Sequence, residues 1–321
     1  MWQPFLIALA ASVSLGLIIV PLMKRLKFGQ TVRLDGPRTH LHKSGIPTMG
    51  GLIFIIPIFA VTLFYTNDMG NTLINMGAVL LFTMVGMADD LIKIFRKDHD
   101  GLSVLQKTIL LLVIAAAYST YSVFWGPAGS DIIIPLSGMK TVWTVPVYIY
   151  IPFLTIFLYW VTNSANLTDG VDGLASSVSI LIFINLFAIC RFLGPACDES
   201  ILVLLASMGA VLGFLAYNAH PAKIFMGDTG SMALGALIGV ISIQMKIPWV
   251  IFIVGIIFVL EALSVVIQVG YYKITQKRVF KMAPIHHHFE LSGWSEHKVV
   301  IVFCMVTAAG GVVSYWLLGL F

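Results

Sequence analysis

The sequence predicts an all-α polytopic membrane protein of about ten transmembrane helices, and three observations predict it. Of 321 residues, 59% are hydrophobic and 11% charged, with a mean hydropathy of +0.95; a soluble domain carries about 25% charged residues. Apolar runs suited to crossing about 30 Å of hydrocarbon recur at 3 to 23, 49 to 65, 72 to 88, 104 to 123, 144 to 162, 174 to 193, 200 to 217, 231 to 245, 249 to 270 and 298 to 318. Lysines and arginines gather in alternate loops, with only Lys140, Arg191 and Lys246 in the others.

The first run has no basic stretch before it and no small-residue cleavage site after it, so it reads as a retained span and not as a signal peptide. The positive-inside rule then places the odd-numbered loops in the cytoplasm and both termini outside. The net charge of +4 reflects this topology. The bases are spread over membrane-proximal loops without interleaved aromatics, which excludes nucleic acid as a partner. The loop at 126 to 143 has β-branched residues around Ser137-Gly138 and predicts a short outer β-hairpin near 127–143. Cys190, Cys197 and Cys304 are an odd, unpatterned set that suits packing and suggests neither a disulfide framework nor a zinc site. No repeat or low-complexity tract divides the chain, so residues 1–321 read as one domain.

Five polar clusters all follow odd-numbered spans: the 24 to 48 loop, Asp89-Asp90, residues 163 to 172, residues 218 to 231 and a histidine run at 286 to 288. Polar groups at membrane depth are costly unless they pair or line a cavity. Five clusters at one face therefore predict a single cytoplasmic-side site.

In VGMADDLIKIFRK, a helix continued past Ala88 would put Asp89, Lys93 and Lys97 on one face, with Asp90 turned aside. Such a stretch is either a solvated helix end or a carboxylate pair for a divalent cation or proton transfer, with lysines for phosphate. In NSANLTDGVDGLAS, Asn163, Asn166, Asp169 and Asp172 recur every three residues, and amides with carboxylates suit a nucleobase or sugar edge. Asp172 equally suits a helix cap. In YNAHPAKIFMGDTGSMALG, Asp228 and Thr229 open a span and could cap it; the same helix N-terminus could offer N–H groups to phosphate, with Asp228 holding Mg²⁺ against it and Phe225 stacking on a base. Lys43 and Thr48, in a Gly- and Pro-stiffened loop, could reach an anion or lipid head groups. Glu261, Ser264 and Gln268 form a polar stripe in the ninth span, where Glu261 also suits a buried structural partner.

The run PIHHHFE resembles a zinc site only at first. Neighbouring side chains diverge by about 100° in a helix, so His286, His287 and His288 cannot converge on one ion, and bases nearby point to anions. The division of labour expected is His286, with His288, on one side and His287 on the other, with Glu290 fixing a ring.

Together DGPRTHLHKSGIPTMGG, MADDLIK, NSANLTDGVDGLA, NAHPAKIFMGDTGSMALG and APIHHHFELSGW resemble the phospho-N-acetylmuramoyl-pentapeptide transferase family, within the polyprenyl-phosphate N-acetylhexosamine-1-phosphate transferases. The match runs in order across essentially the whole chain. The resemblance implies Mg²⁺-dependent transfer of phospho-MurNAc-pentapeptide from UDP-MurNAc-pentapeptide to undecaprenyl phosphate, giving lipid I and UMP. It implies a homodimer. It further implies catalytic roles for Asp89, Asp90, Asp228 and His286, with Asp228 the first choice of metal ligand and Asp89 and Asp90 next. Asn218, Phe225, Asp169 and Asp172 would hold the uridine side; Lys43, Thr48, Gln268 and His287 would line the same pocket. For Asp89 the family offers a base or a covalent nucleophile. A phosphate monoester with a second pKa of about 6 is itself a nucleophile near neutral pH, which favours a base or positioning role. The polyprenyl chain would lie in an apolar groove near the ninth span. Two other readings suit parts of the same pattern: a transferase for UDP-GlcNAc, and an ion-coupled transporter with buried acids and interrupted helices.

Overall fold

The computed structural model describes residues 1–26, 28, 45–96, 100–135 and 141–320. Helices lie on all ten apolar runs: α1 (Gln3–Arg25), α2 (Leu52–Tyr65), α3 (Met69–Arg96), α4 (Val104–Phe124), α5 (Val147–Thr168), α6 (Leu174–Leu193), α7 (Asp198–Asn218), α8 (Gly227–Gln244), a ninth run divided into α9 (Ile251–Val254) and α10 (Ile256–Thr275), then a short α11 (Ile285–Glu290) and α12 (Glu296–Leu318). Seven of these, α1, α4, α5, α6, α7, α10 and α12, are long and apolar enough to cross a membrane by length and composition. Of the other three runs, α2 has 14 residues, α3 carries charges at its end, and α8 has 18 residues and is almost wholly buried.

Local chemistry sets the ends. Ser103 and Gln106 form a capping box that starts α4, satisfying donors that a helix otherwise leaves orphaned. Ser295 caps α12, and Gly319 ends it in the left-handed region at φ 71°. Lys24 and Arg25 close α1, where positive charge complements the helix dipole.

The buried α8 packs between α3 and α5, and α7 packs against α1, α2 and α6. Many side chains on the outer helices are apolar and exposed, among them Leu17, Ile18, Phe64 and Val113, as a lipid-facing surface requires. The predicted hairpin is present as an antiparallel pair, β1 (Asp131–Ile133) with β2 (Val142–Thr144), in register Ile132 to Trp143; its Ser137-Gly138 turn lies outside the described residues. The hairpin is pinned at the end of α8: Lys246 pairs with Asp131 at 2.9 Å, and the Ile133 N–H donates to the Lys246 carbonyl at 2.9 Å.

Candidate active site

The site is built where the last turns of α3, the start of α4 and the first turn of α8 meet. Helix α3 does continue past Ala88, and the expected i, i+4 pair forms: Lys93 Nζ lies 2.5 Å from Asp89 Oδ2. Asp89 Oδ1 accepts the Leu102 N–H at 2.8 Å, which ties the loop before α4 to α3. Asp228 Oδ2 then receives Lys107 at 2.6 Å and Lys93 at 3.3 Å. Lys93 Nζ thus lies between the Asp89 and Asp228 carboxylates. Among the described residues, Asp228 is the common neighbour of Asp89, Asp90 and Asp169 and meets two lysines, Lys93 and Lys107. The acid excess and the all-oxygen donor set fit a hard divalent cation.

Asp90 does turn aside, and it turns to α8. Its Oδ1 accepts the Asp228 N–H at 3.1 Å, and its Oδ2 accepts the Thr229 N–H at 2.9 Å and the Thr229 hydroxyl at 2.7 Å. A carboxylate from α3 thus caps α8, so two of the N–H groups that a phosphate could have used are already satisfied. Asp228 and Thr229 do not cap the helix with their own side chains. Gly227, at φ +73°, makes this possible: a Cβ there would press on Asp90 Oδ2 and Thr48 Oγ1. Thr48 is buried beside that carboxylate, with no hydrogen-bond partner for its hydroxyl. Its segment is zipped to the chain before α8 by Phe225 N–H to Pro47 O at 2.8 Å and Gly50 N–H to Phe225 O at 2.9 Å, which leaves the Phe225 ring half-buried at the site's edge.

The polar stretch after α5 divides between scaffold and site. Asn163 donates to the Tyr159 carbonyl and Asn166 to the Ser231 hydroxyl on α8, at 3.1 and 3.0 Å. Asp169 ends α5; burial and the nearby carboxylates of Asp228, Asp90 and Asp172 push its carboxyl well above the usual range. Asp172 points instead to a second cluster, where its Oδ2 meets His220 Nδ1 at 3.1 Å and the Ala222 N–H at 3.0 Å. Glu296 joins it, accepting the Asp172 N–H at 3.3 Å and lying 3.6 Å from His220. This cluster latches the start of α12 to the loops after α5 and α7. Asn218 is also structural: it accepts from Ser176 at 2.9 Å and donates to the Ile224 carbonyl at 3.2 Å.

The three histidines separate as neighbouring helical side chains must. His286 is buried and meets Glu261 of α10 at 2.9 Å through Nδ1. His287 is held by Glu290 at 2.8 Å. His288 accepts the Lys281 N–H at 3.1 Å, on the exposed side. The expected pairing of His286 with His288 is replaced by contact of the His286 and His287 rings, whose centroids are 4.1 Å apart. Gln268 clamps the loop before them, accepting from Val279 and Phe280 and donating back to the Phe280 carbonyl. Lys43 and Lys97 lie outside the described residues.

Lys107 escaped sequence reasoning: a single lysine near the start of an apolar helix reads as a topology signal. His220 and Glu296 escaped too, because only the fold brings them to Asp172.

The chain is similar to known proteins along most of its length. The glycosyl transferase family 4 profile matches residues 72–246, which include both sides of the Asp89–Asp228 pair, and the phospho-N-acetylmuramoyl-pentapeptide-transferase signature 1 matches residues 43–55. Curated phospho-N-acetylmuramoyl-pentapeptide-transferases are similar over almost the whole chain: 45% identical over 320 residues in Acetivibrio thermocellus, covering 98% of this chain and 94% of that one. The relative from Clostridium kluyveri is 47% identical over 303 residues, covering 94% of each chain. That from Clostridium botulinum strain Eklund 17B is 48% identical over 305, covering 94% of this chain and 91% of the other. The chain belongs to the phospho-N-acetylmuramoyl-pentapeptide-transferase family.

Proposed function

We propose that the cluster around Asp228 is where this chain, a phosphosugar transferase of peptidoglycan synthesis, moves phospho-MurNAc-pentapeptide from its UDP donor to undecaprenyl phosphate. The observation that carries the reading is the Asp89–Asp228 carboxylate pair bracketed by Lys93 and Lys107. A nucleotide diphosphate and a lipid phosphate repel each other, so holding them together and neutralising charge is most of the catalytic problem. Asp228, with Asp89 alongside, would hold Mg²⁺, which would supply that neutralisation.

The chain's own groups do the rest. Lys93 and Lys107 carry charge that can pass from Asp228 to phosphate oxygens. Asp89, anchored by Lys93 and the Leu102 N–H, keeps the carboxylate face in place and orients the acceptor. An oxygen of the lipid phosphate forms the new bond to the donor's β-phosphorus; the bond from that phosphorus to the bridging oxygen breaks, and UMP leaves with it. Asp90 holds α8, and hence Asp228, in register. Asp169, Phe225 and His287 line the nucleotide side of this reading.

The acceptor's chain has a place to lie. An apolar groove of about 380 Å³ runs between α10, α11 and α12, lined by Leu260, Leu263, Ile267, Phe280, Phe289 and Val306. Its walls carry almost no polar surface, which suits a polyprenyl tail. Ten membrane crossings, both termini outside, a cytoplasmic site in one domain and a homodimer complete the reading. The test is UMP release from purified protein: it should require both substrates and Mg²⁺ and stop with chelator. Turnover of UDP-GlcNAc in place of the muramoyl-pentapeptide donor would refute the substrate assignment.

A further inference from the structure

Glu261 is a carboxylate in an apolar helix with 0% exposure, and its partner His286 is 1% exposed. An acid at such depth costs stability unless it is paired, and among the described residues the pairing is incomplete: Glu261 Oε2 and His286 Nε2 are both buried without a hydrogen-bond partner. Because the carboxylate can only accept, Nδ1 of His286 carries the hydrogen that bridges the 2.9 Å gap. That bond fixes both the tautomer and the tilt of the ring.

The far edge of the ring rests on Gly170. A Cβ on that residue would collide with His286 Nε2, Cε1 and Cδ2, so the imidazole lies directly against the backbone between Asp169 and Val171. Asp169 is held through its backbone at the end of α5, where its N–H donates to the Asn166 carbonyl at 3.2 Å. Asp172, three residues on, is tied to His220, Ala222 and Glu296, and at Gly170, between these two anchors, the nearest side chain is the His286 ring. On the same helix α10, Leu260 and Leu263 line the apolar groove, while Glu261 is buried away from it. The chain of contact therefore runs from α10, through Glu261 and His286, to the backbone beneath Asp169.

We infer that Glu261 is a positioning residue for the sugar-nucleotide donor: it locks His286 against Gly170 and thereby sets the loop that presents Asp169 to the nucleotide. This rests on the transferase reading above. The test measures UMP release by the full chain in detergent, varying UDP-MurNAc-pentapeptide at saturating undecaprenyl phosphate. Glu261→Gln keeps the shape but lets the ring adopt either tautomer; KM for the donor should rise about tenfold, with kcat and the KM for lipid within about threefold. Gly170→Ala, which pushes the ring from the opposite side, should give the same signature. The double variant should be no worse than either single, the mark of two changes acting through one contact.

A merely structural role would lower the active fraction, and so kcat, with KM unchanged; that result, or additive effects in the double variant, overturns the inference. If Glu261→Gln leaves no folded protein, Gly170→Ala carries the test alone. A wild type that releases no UMP overturns the transferase reading and this inference with it. An active wild type with an unaltered donor KM in both variants overturns the inference alone.

Discussion

Asp228 gathers more charge than any neighbour, with Lys107 at 2.6 Å and Lys93 at 3.3 Å on one oxygen. Asp228→Asn keeps the shape and removes the charge, so turnover should fall by roughly 10²–10³-fold while the protein still inserts and keeps its melting temperature; near-normal Mg²⁺-dependent turnover would refute its role as ligand. Asp90→Ala should act differently. It strips the cap from α8, leaving two buried N–H groups and the Thr229 hydroxyl without an acceptor, and should cost about 1–3 kcal/mol of stability, read as a lowered melting temperature before any kinetic effect. The Asp89–Lys93 pair was legible in the sequence because both residues lie on one helical face. The Lys107–Asp228 pair was not, because its members are 121 residues apart. Asp90 was legible only as the acid that faces elsewhere; where it faces depends on how α3 packs on α8.

At the scale of elements, the hairpin shows a local pattern made firm by a distant anchor. Lys246 and Thr144 hydrogen-bond Asp131 and hold its carboxyl below the usual carboxylate range. A depressed acid contributes stability that is present above its unfolded value of about 3.9 and is lost as pH falls through the folded value. The Ile133 amide should therefore be strongly protected at neutral pH, relative to the unprotected exchange rate at the same pH, and lose that protection only in acid. Asp131→Asn should bring faster exchange already at neutral pH, with UMP release unchanged; equal protection in the variant would show that the ion pair anchors nothing. The ten helical runs were legible from hydropathy. The division of the ninth at Gly255, where φ is −90° and ψ 30°, was not, because an isolated glycine in an apolar run is tolerated as often as it breaks the helix.

For the whole molecule, the acids of the α3 end and of the stretch after α5 meet Asp228 because α3 and α5 pack against the buried α8. Periodicity hints at that meeting point, and only the packing of the three helices creates it. The cysteines stay outside that convergence: Cys190 and Cys197 are buried near the α6–α7 junction, and Cys304 is partly buried in α12. Changing all three to Ala should leave substantial turnover, and its loss in folded protein would expose a role for a thiol. The same background suits the topology test, with single cysteines placed in the 277–281 loop and in the hairpin: a membrane-impermeant reagent applied from outside should label only the hairpin. The most direct measurement of the central claim is UMP release by the purified chain offered UDP-MurNAc-pentapeptide, undecaprenyl phosphate and Mg²⁺, each omitted in turn, alongside Asp228→Asn. Release that needs all three and is lost in the variant is the predicted result; release without lipid phosphate, or undiminished in the variant, would contradict it.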